Sequence, residues 1–475
     1  MPHKKQHINI RNLLITGGTS IKAAMRTIDR FGGYGIVFVV STQKKLIGVV
    51  SDGDIRRALS KGFELKTSVQ EIMTRDFTYV IDTWSKEKIG TVLKSKTALA
   101  KGPFVKVPVI DANHRPVDML FVLNGSILSF NAALNSHTVA MRQIKKILVV
   151  GGAGYIGSVL TRLLLSAGYS VVVLDSFLYG HDSLRDVMKH KKLKVIRGDT
   201  RHTEDIVAAL QGVHAVAHLA ELVGDPACAV DPKTTQQINY FATRQLASIC
   251  KFFQINRFIY FSSCSVYGAS SKHSSCNEES TLNPVSLYAK VKVASEHALL
   301  EMEDSNFSPT IFRLATVFGA SFRPRFDLVV NILSAKAVVE HTIPILGGSQ
   351  WRPHVHVEDV GRAVLLALEA PLSKVGGQIF NVGSNALNYT IKDIGAIVRA
   401  TIPEAVIDMK KGDGDMRNYR ADFSKIASVL TFRPEKTIQD GVREIQSLIT
   451  SGKVKDYTQS QYSNIKFLEK KLKTL

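Results

Sequence analysis

The chain has 475 residues, 45% of them hydrophobic and 21% charged, which is ordinary globular composition and long enough for two or three domains. Its 61 Lys and Arg against 41 Asp and Glu give a net charge of +20, a balance that favours anionic ligands without naming one, while zinc-finger spacing and RNA-binding aromatic signatures are missing. No apolar run reaches the ~18–20 residues of a membrane span, and the four cysteines, Cys228, Cys250, Cys264 and Cys276, form no CxxC pair, so neither a disulfide framework nor a zinc site is expected.

The N-terminal MPHKKQHINIRN carries charge but no apolar stretch, so no secretory signal is read and the expected location is the cytoplasm. In the first block a helical stretch, SIKAAMRTIDRFG, leads to a strand GIVFVV, a turn at TQKK, a second strand LIGVVS and a helix from DGDIRRALSKG. The pattern returns as helix SKEKIGTVLKSK, strand FVKVPVID, turn NHRP and strand VDMLFV. A repeat of this size implies two similar units packed together. The paired glycines of ITGGTS precede a helix too, but an N-cap at Thr19 or Ser20 explains them. The sequence GVVSDGDIRRAL after helix–strand–turn–strand resembles a CBS domain, and residues 8–125 resemble a CBS pair, giving a regulatory unit over 1–128. The resemblance implies that Ser51 and Asp54 hold the ribose hydroxyls of a nucleotide, adenine nucleotides being the family's commonest ligand. The second repeat lacks this motif at Leu123-Asn124-Gly125. A nucleotide-free packing or dimerisation module is the other reading. Residues 1–145 hold 22 basic against 10 acidic side chains, which suits a phosphate-bearing ligand.

Residues 129–144 read as a linker. After them strands are expected at KILVV, SVVVLD, KVIRGD, AVAHLA, RFIYFSS and PTIFRLA, with helices such as SVLTRLLLSAG and YFATRQLASICKFF between. Short, near-continuous apolar strands alternating with helices predict an α/β, doubly wound, parallel-sheet Rossmann domain. A smaller C-terminal substrate lobe follows, and residues 451–475 read as a basic tail.

KILVV runs into GGAGYIGS and then a helix. Gly152, Gly154 and Gly157 form G-x-G-x-x-G, with Gly151 an extra turn residue. Such glycines allow the tight turn, the approach of a pyrophosphate and close helix–strand contact. The phosphates then meet the N–H groups of a helix N-terminus. Asp175 ends the next strand, where a carboxylate accepts hydrogen bonds from ribose hydroxyls and repels a 2′-phosphate. NAD is expected rather than NADP. Further on, Tyr288 and Lys292 stand four apart and share a helix face. A phenol ordinarily loses its proton near pH 10; a neighbouring ammonium favours the phenolate, which would make Tyr288 a general base. Ser263 can orient the same substrate hydroxyl. His354 and His356 alternate on a strand with no third ligand in view, so no metal is expected.

Together, GGAGYIG, Asp175, the RGD ending at Asp199, HLA at 218–220, Asn239, SSCSVYG, Tyr288/Lys292, FRLATVFG and RPHVHVEDV closely resemble the extended short-chain dehydrogenase/reductase family, the NAD-dependent nucleotide-sugar epimerases and dehydratases, over residues 145–450. The resemblance implies a catalytic triad of Ser263, Tyr288 and Lys292. It implies cofactor contacts at Gly151, Gly154, Tyr155, Ile156, Gly157, Asp175, Asp199, Leu219, Ala220, Asn239, Tyr288 and Lys292. Substrate contacts are implied at Glu221, Cys228, Ser263, Cys264, Asn331, Arg352 and Arg417, with the two arginines clamping a nucleotide diphosphate. Two departures matter. Family 4,6-dehydratases carry an Asp–Glu pair after the catalytic hydroxyl, and here Cys264 and Ser265 stand there, which disfavours dehydration. Glu221 stands where many relatives have a small residue; it is either a local backbone or solvent contact, or a substrate contact and second acid/base. Cys228 is either a substrate contact or a packed small residue.

The expected activity is NAD-dependent C4 epimerisation of a nucleotide-sugar through a keto intermediate, in surface polysaccharide or glycoconjugate biosynthesis, by a homodimer or higher homo-oligomer. A dehydrogenase or 4-keto reductase on the same residues is the close rival, then a dehydratase, with a non-catalytic NAD sensor as the rival from another class.

Overall fold

The computed structural model describes residues 10–30, 35–85, 88–89, 91–92, 104–123, 126–128, 144–268, 275–304, 307–410 and 418–472. The chain divides into two units, Met1–Arg142 and Gln143–Leu475. No helix among the described residues is long and apolar enough to cross a membrane.

In the first unit, the apolar run Ile36–Val40 pairs antiparallel with Leu46–Ser51, and Leu14–Thr16 adds a parallel edge. Further along, Phe104–Ile110 pairs antiparallel with Pro116–Leu123. The two hairpins repeat each other in detail. Each slips register at its end, at Val39/Val40 and at Val109/Ile110. Each turn holds one residue in the left-handed region, Lys44 at φ 62° and His114 at φ 59°. The same two backbone bonds close each turn: Ser41 N–H to Lys45 O at 2.8 Å and Lys44 N–H to Ser41 O at 2.9 Å, against Asp111 N–H to Arg115 O at 2.9 Å and His114 N–H to Asp111 O at 3.0 Å. The expected internal repeat is thus present in backbone conformation. Ser20 caps the first helix by accepting from Ala23 N–H at 3.2 Å, so the early glycine pair belongs to a helix start. The helix expected over SKEKIGTVLKSK lies mostly outside the described residues.

The second unit is built on seven parallel strands: β1 (Lys146–Val150), β2 (Ser170–Asp175), β3 (Leu193–Arg197), β4 (Ala215–His218), β5 (Arg257–Ser263), β6 (Ser308–Leu314) and β7 (Ile379–Val382). Their spatial order is 3-2-1-4-5-6-7, and every pairing is parallel. Alternate side chains go to opposite faces. Ile147, Val149, Val171, Val173, Ala217 and Ile259 enter one apolar layer; Leu148, Val150, Val172, Leu174, Val216 and Phe258 enter the other. Each large apolar side chain so buried contributes about 1.5–3 kcal/mol. The strand order reverses between β1 and β4, and in such sheets ligands bind at the carboxyl ends of the strands beside that point.

A smaller lobe packs Phe318, Val330, Leu333, Ile343, Ile345, Ile394, Val398 and Val442 into its own core. It carries a parallel pair, Thr342–Leu346 with Val406–Lys410. The stretch after residue 450 departs from the expected basic tail. Its described part ends in a helix, Asn464–Leu472, whose Phe467 ring lies 4.9 Å from that of Tyr179 and whose Asn464 N–H donates to Asp327 at 2.8 Å. The apolar residues interleaved among its lysines anchor it.

Candidate active site

The glycine turn lies at the strand-order reversal. β1 ends at Val150 and α1 (Tyr155–Ser166) follows. Gly151 has φ +86°, and a side chain there would put Cβ 2.7 Å from the backbone nitrogen of Ala220, just past β4. A Cβ at Gly157 would collide with the Gly151 carbonyl oxygen. Both positions therefore need glycine for the helix to sit this close to the strand. No side chain caps α1 at Gly154, which leaves its first-turn N–H groups for a ligand's phosphates. The turn fits a dinucleotide pyrophosphate.

Asp175 closes the turn from β2. Its Oδ2 accepts Ala153 N–H at 2.8 Å and its Oδ1 accepts Phe177 N–H at 2.7 Å, leaving one further lone pair on each oxygen for ribose hydroxyls. Burial pushes its pKa above the usual carboxylate value, against the pull of those two amides. Asp199 is tied to Arg201 at 2.6 Å; burial opposes its ionisation, but Arg201 outweighs it and holds the carboxyl below the usual value.

α2 (Leu287–Glu301) starts at Ser286, whose hydroxyl caps it by accepting Ala289 N–H at 3.1 Å. The helix buries Tyr288 and Lys292 on one face, 8% and 3% exposed. Lys292 Nζ stands 5.6 Å from the Tyr288 ring centroid and donates to the Phe261 carbonyl of β5. Ser263, at the end of β5, accepts Ser265 N–H at 3.2 Å and acts on the Tyr288 phenol. Ser263, Tyr288 and Lys292 thus face the same cavity, of about 590 Å³, which is lined by them together with Arg325, Asp327 and Arg352. Tyr155, Ile156 and Leu219 also line it.

Tyr288 corrects the electrostatic expectation. Its phenol lies well above its ordinary value, first because it is buried and then because Glu221, Cys228 and Asp225 place negative charge or its potential nearby; Ser263 pulls it the other way. The Lys292 ammonium, expected to favour the phenolate, is itself paired with the buried carboxylate of Glu221.

Several residues expected at the substrate do not reach the cavity wall. Glu221 faces Lys292 and Tyr260 instead. Cys228 is buried with its thiol on Leu222 O at 3.2 Å; burial first, then nearby Glu221, pushes that thiol up to about 12, so it is a packed neutral group. Cys264 is fully buried with its thiol on Arg313 O at 3.3 Å. Asn331 spends its amide on Gly319 N–H at 3.0 Å and Arg325 O at 2.9 Å, fixing the loop that carries Arg325. Asn239, expected at the cofactor, brackets Leu222 through N–H at 2.9 Å and O at 2.8 Å. It sits in a wide helical turn, Gln237–Phe241, of the kind that recurs at functional sites. Arg352 does line the cavity, with Nη1 on Trp351 O at 2.7 Å. Arg417 lies outside the described residues. His356 pairs with Glu444 at 2.8 Å. In the first unit, Ser51 Oγ donates to Asp54 Oδ2 at 2.6 Å within a helix-capping box. Arg325 and Asp327, held together at 2.8 Å, were not singled out from sequence; the charged pair inside the otherwise apolar RFDLVV is the signal that marked them.

Residues 147–383 match the model of the NAD dependent epimerase/dehydratase family, and residues 7–61 match that of the CBS domain. A UDP-glucose 4-epimerase of Mycolicibacterium smegmatis is 30% identical over 312 residues, 62% of this chain and 95% of that one. An uncharacterized UDP-glucose epimerase of Bacillus subtilis, YtcB, is 27% identical over 310 residues, again 62% of this chain and 95% of that one. The crystal structure of UDP-glucuronic acid 4-epimerase from Bacillus cereus, in complex with UDP-glucuronic acid and NAD, superposes with a TM-score of 0.59 at 28% identity, covering 64% of this chain and 99% of that one. The cofactor is NAD, and the chain is an enzyme of the NAD-dependent epimerase/dehydratase family with a CBS domain ahead of its catalytic unit.

Proposed function

We propose that the enzyme is a nucleotide-sugar 4-epimerase whose activity responds to a nucleotide at the CBS module. The observation that carries the reading is that Ser263, Tyr288 and Lys292 line one cavity together with Arg325 and Arg352. Guanidinium groups in that cavity suit a diphosphate. Bound NAD supplies the site that takes up and returns the substrate hydride. Tyr288, as the phenolate that the positive charge of bound NAD would favour, takes the proton of the sugar hydroxyl as that carbon becomes a ketone, and gives it back when the ketone is reduced on its other face. Ser263 orients the hydroxyl toward the phenol. Lys292 holds its position beside both. The relatives named for UDP-glucose and UDP-glucuronic acid make those two nucleotide-sugars the first substrates to try. Cys264 supports epimerisation over dehydration: its thiol is fully buried and bonded to Arg313 O, where a dehydratase needs an acid.

The test is turnover of UDP-glucose and UDP-glucuronic acid by wild type and Tyr288→Phe. A 4-epimer without free NADH is expected, with kcat lower by about 10²–10⁴ in the variant, the range that one general acid–base group supplies. Equal activity in the two proteins contradicts the assignment of Tyr288, and NADH formed in step with product replaces the epimerase by a dehydrogenase. Regulation is tested with ATP and AMP: altered kinetics that Ser51→Ala abolishes support it, and kinetics unmoved by either nucleotide refute it.

A further inference from the structure

A lysine buried this deeply needs a partner, because an uncompensated ammonium in the interior is strongly unfavourable. Here the partner is Glu221. The two side chains are 4% and 1% exposed and form an ion pair. The other carboxylate oxygen accepts Tyr260 Oη at 2.8 Å, and Tyr260 is itself fully buried on β5. Lys292 Nζ lies 4.8 Å from the Tyr260 ring centroid and 5.6 Å from that of Tyr288. The carboxylate is therefore held by a phenol and an ammonium behind the cavity wall, while Tyr288 and Lys292 form part of that wall.

The groups that face Tyr288 come from three elements. Lys292 shares its helix, Ser263 comes from β5, and Glu221, Asp225 and Cys228 come from the segment after β4. Cys228 is neutral at physiological pH, since its thiol is pushed up to about 12. Asp225 is engaged by the Ser286 hydroxyl. Glu221 is thus the acidic side chain placed against both Tyr288 and the lysine beside it.

We infer that Glu221 is a positioning residue that clamps Lys292 beside Tyr288 and offsets its charge, so that the phenol stays protonated until substrate and cofactor are in place. This rests on Tyr288 being the acid/base group proposed above. The loss of the negative charge that offsets Lys292 favours the phenolate. Glu221→Gln keeps the shape and removes that charge.

The experiment is an ultraviolet difference titration of the NAD-bound enzyme, reading tyrosinate absorbance, for wild type, Glu221→Gln and Glu221→Gln/Tyr288→Phe. The part of the signal lost in the double variant belongs to Tyr288. It is expected to rise at a pH lower by about one unit or more in Glu221→Gln than in wild type, with less NAD retained through gel filtration because the lysine is no longer clamped. An unchanged titration together with full NAD retention overturns the inference. If Glu221→Gln does not fold, Glu221→Asp keeps the charge on a shorter arm. It is expected to leave the titration in place while NAD retention falls, and wild-type behaviour in both overturns the inference. Full activity of Tyr288→Phe would instead overturn the acid/base assignment, and the titration reads Glu221 separately from that.

Discussion

The two lobes of the catalytic unit are held together differently. In the sheet lobe, alternate side chains of each strand enter one of two apolar layers, and the glycine turn is shaped by close backbone contact. The smaller lobe is tied on by polar groups, most of whose partners lie far along the sequence. Asp359 accepts the backbone N–H groups of Glu435 at 3.0 Å and Lys436 at 3.2 Å. Glu444 accepts Ala320 N–H at 3.0 Å, pairs with His356 at 2.8 Å and accepts from Lys436 at 2.9 Å. Hydrophobic period and hard-sphere contact are local and repeat along the chain. A polar tie depends on a partner that only the fold supplies.

That contrast predicts where substitutions hurt. The largest effect is expected at Gly157→Ala. The added Cβ has nowhere to go beside the Gly151 carbonyl, and backbone cannot yield as a flexible side chain does. Complete loss of co-purifying NAD is expected, measured by cofactor absorbance after gel filtration; retained NAD would mean that the turn is looser than described.

The polar tie is tested by pH. Burial opposes ionisation of Glu444, but His356, Ala320 N–H and Lys436 outweigh it and bring its pKa from 4.5 down to about 2. A depressed folded-state value means stability that is fully present above about 4.5 and is lost as pH falls toward 2. Melting temperatures of wild type and Glu444→Gln should therefore differ most at neutral pH and converge through that window. A constant difference across it would show that the carboxylate charge does not tie the lobes.

The smallest effect is expected in the first unit. Ser51 and Asp54 close a capping box, so Ser51→Ala should destabilise that unit by about 1 kcal/mol, read by denaturant unfolding of the whole protein. A change several times larger would mean that Ser51 holds more than its helix.

The same contrast governs what the sequence revealed. KILVV-GGAGYIGS, the acid at 175, and Tyr288 four residues before Lys292 are local patterns, and the strands and the shared helix face of Tyr288 and Lys292 follow from them. The hairpin repeat was legible too, down to matching turns at Lys44 and His114. Glu221, Cys264, Asn239 and Asn331 are each engaged by a partner that their own local sequence does not reveal, and Cys228 takes the packed position that was one of its two readings. Lys292 claims Glu221, Leu222 claims Asn239 and Cys228, and Gly319 claims Asn331. The tail was misread because its lysine count masked Phe467 and Leu468, which pack onto the loops after β2 and β4.

The proposed epimerisation requires one hydride to leave and rejoin the same sugar beside Tyr288. The most direct test supplies nucleotide-sugar carrying deuterium at the carbon that is oxidised, with wild-type enzyme in ordinary water. Epimerised product that retains the deuterium at that carbon, with no NADH released, is the predicted result. Deuterium lost to solvent, or carried off on free NADH, would contradict it.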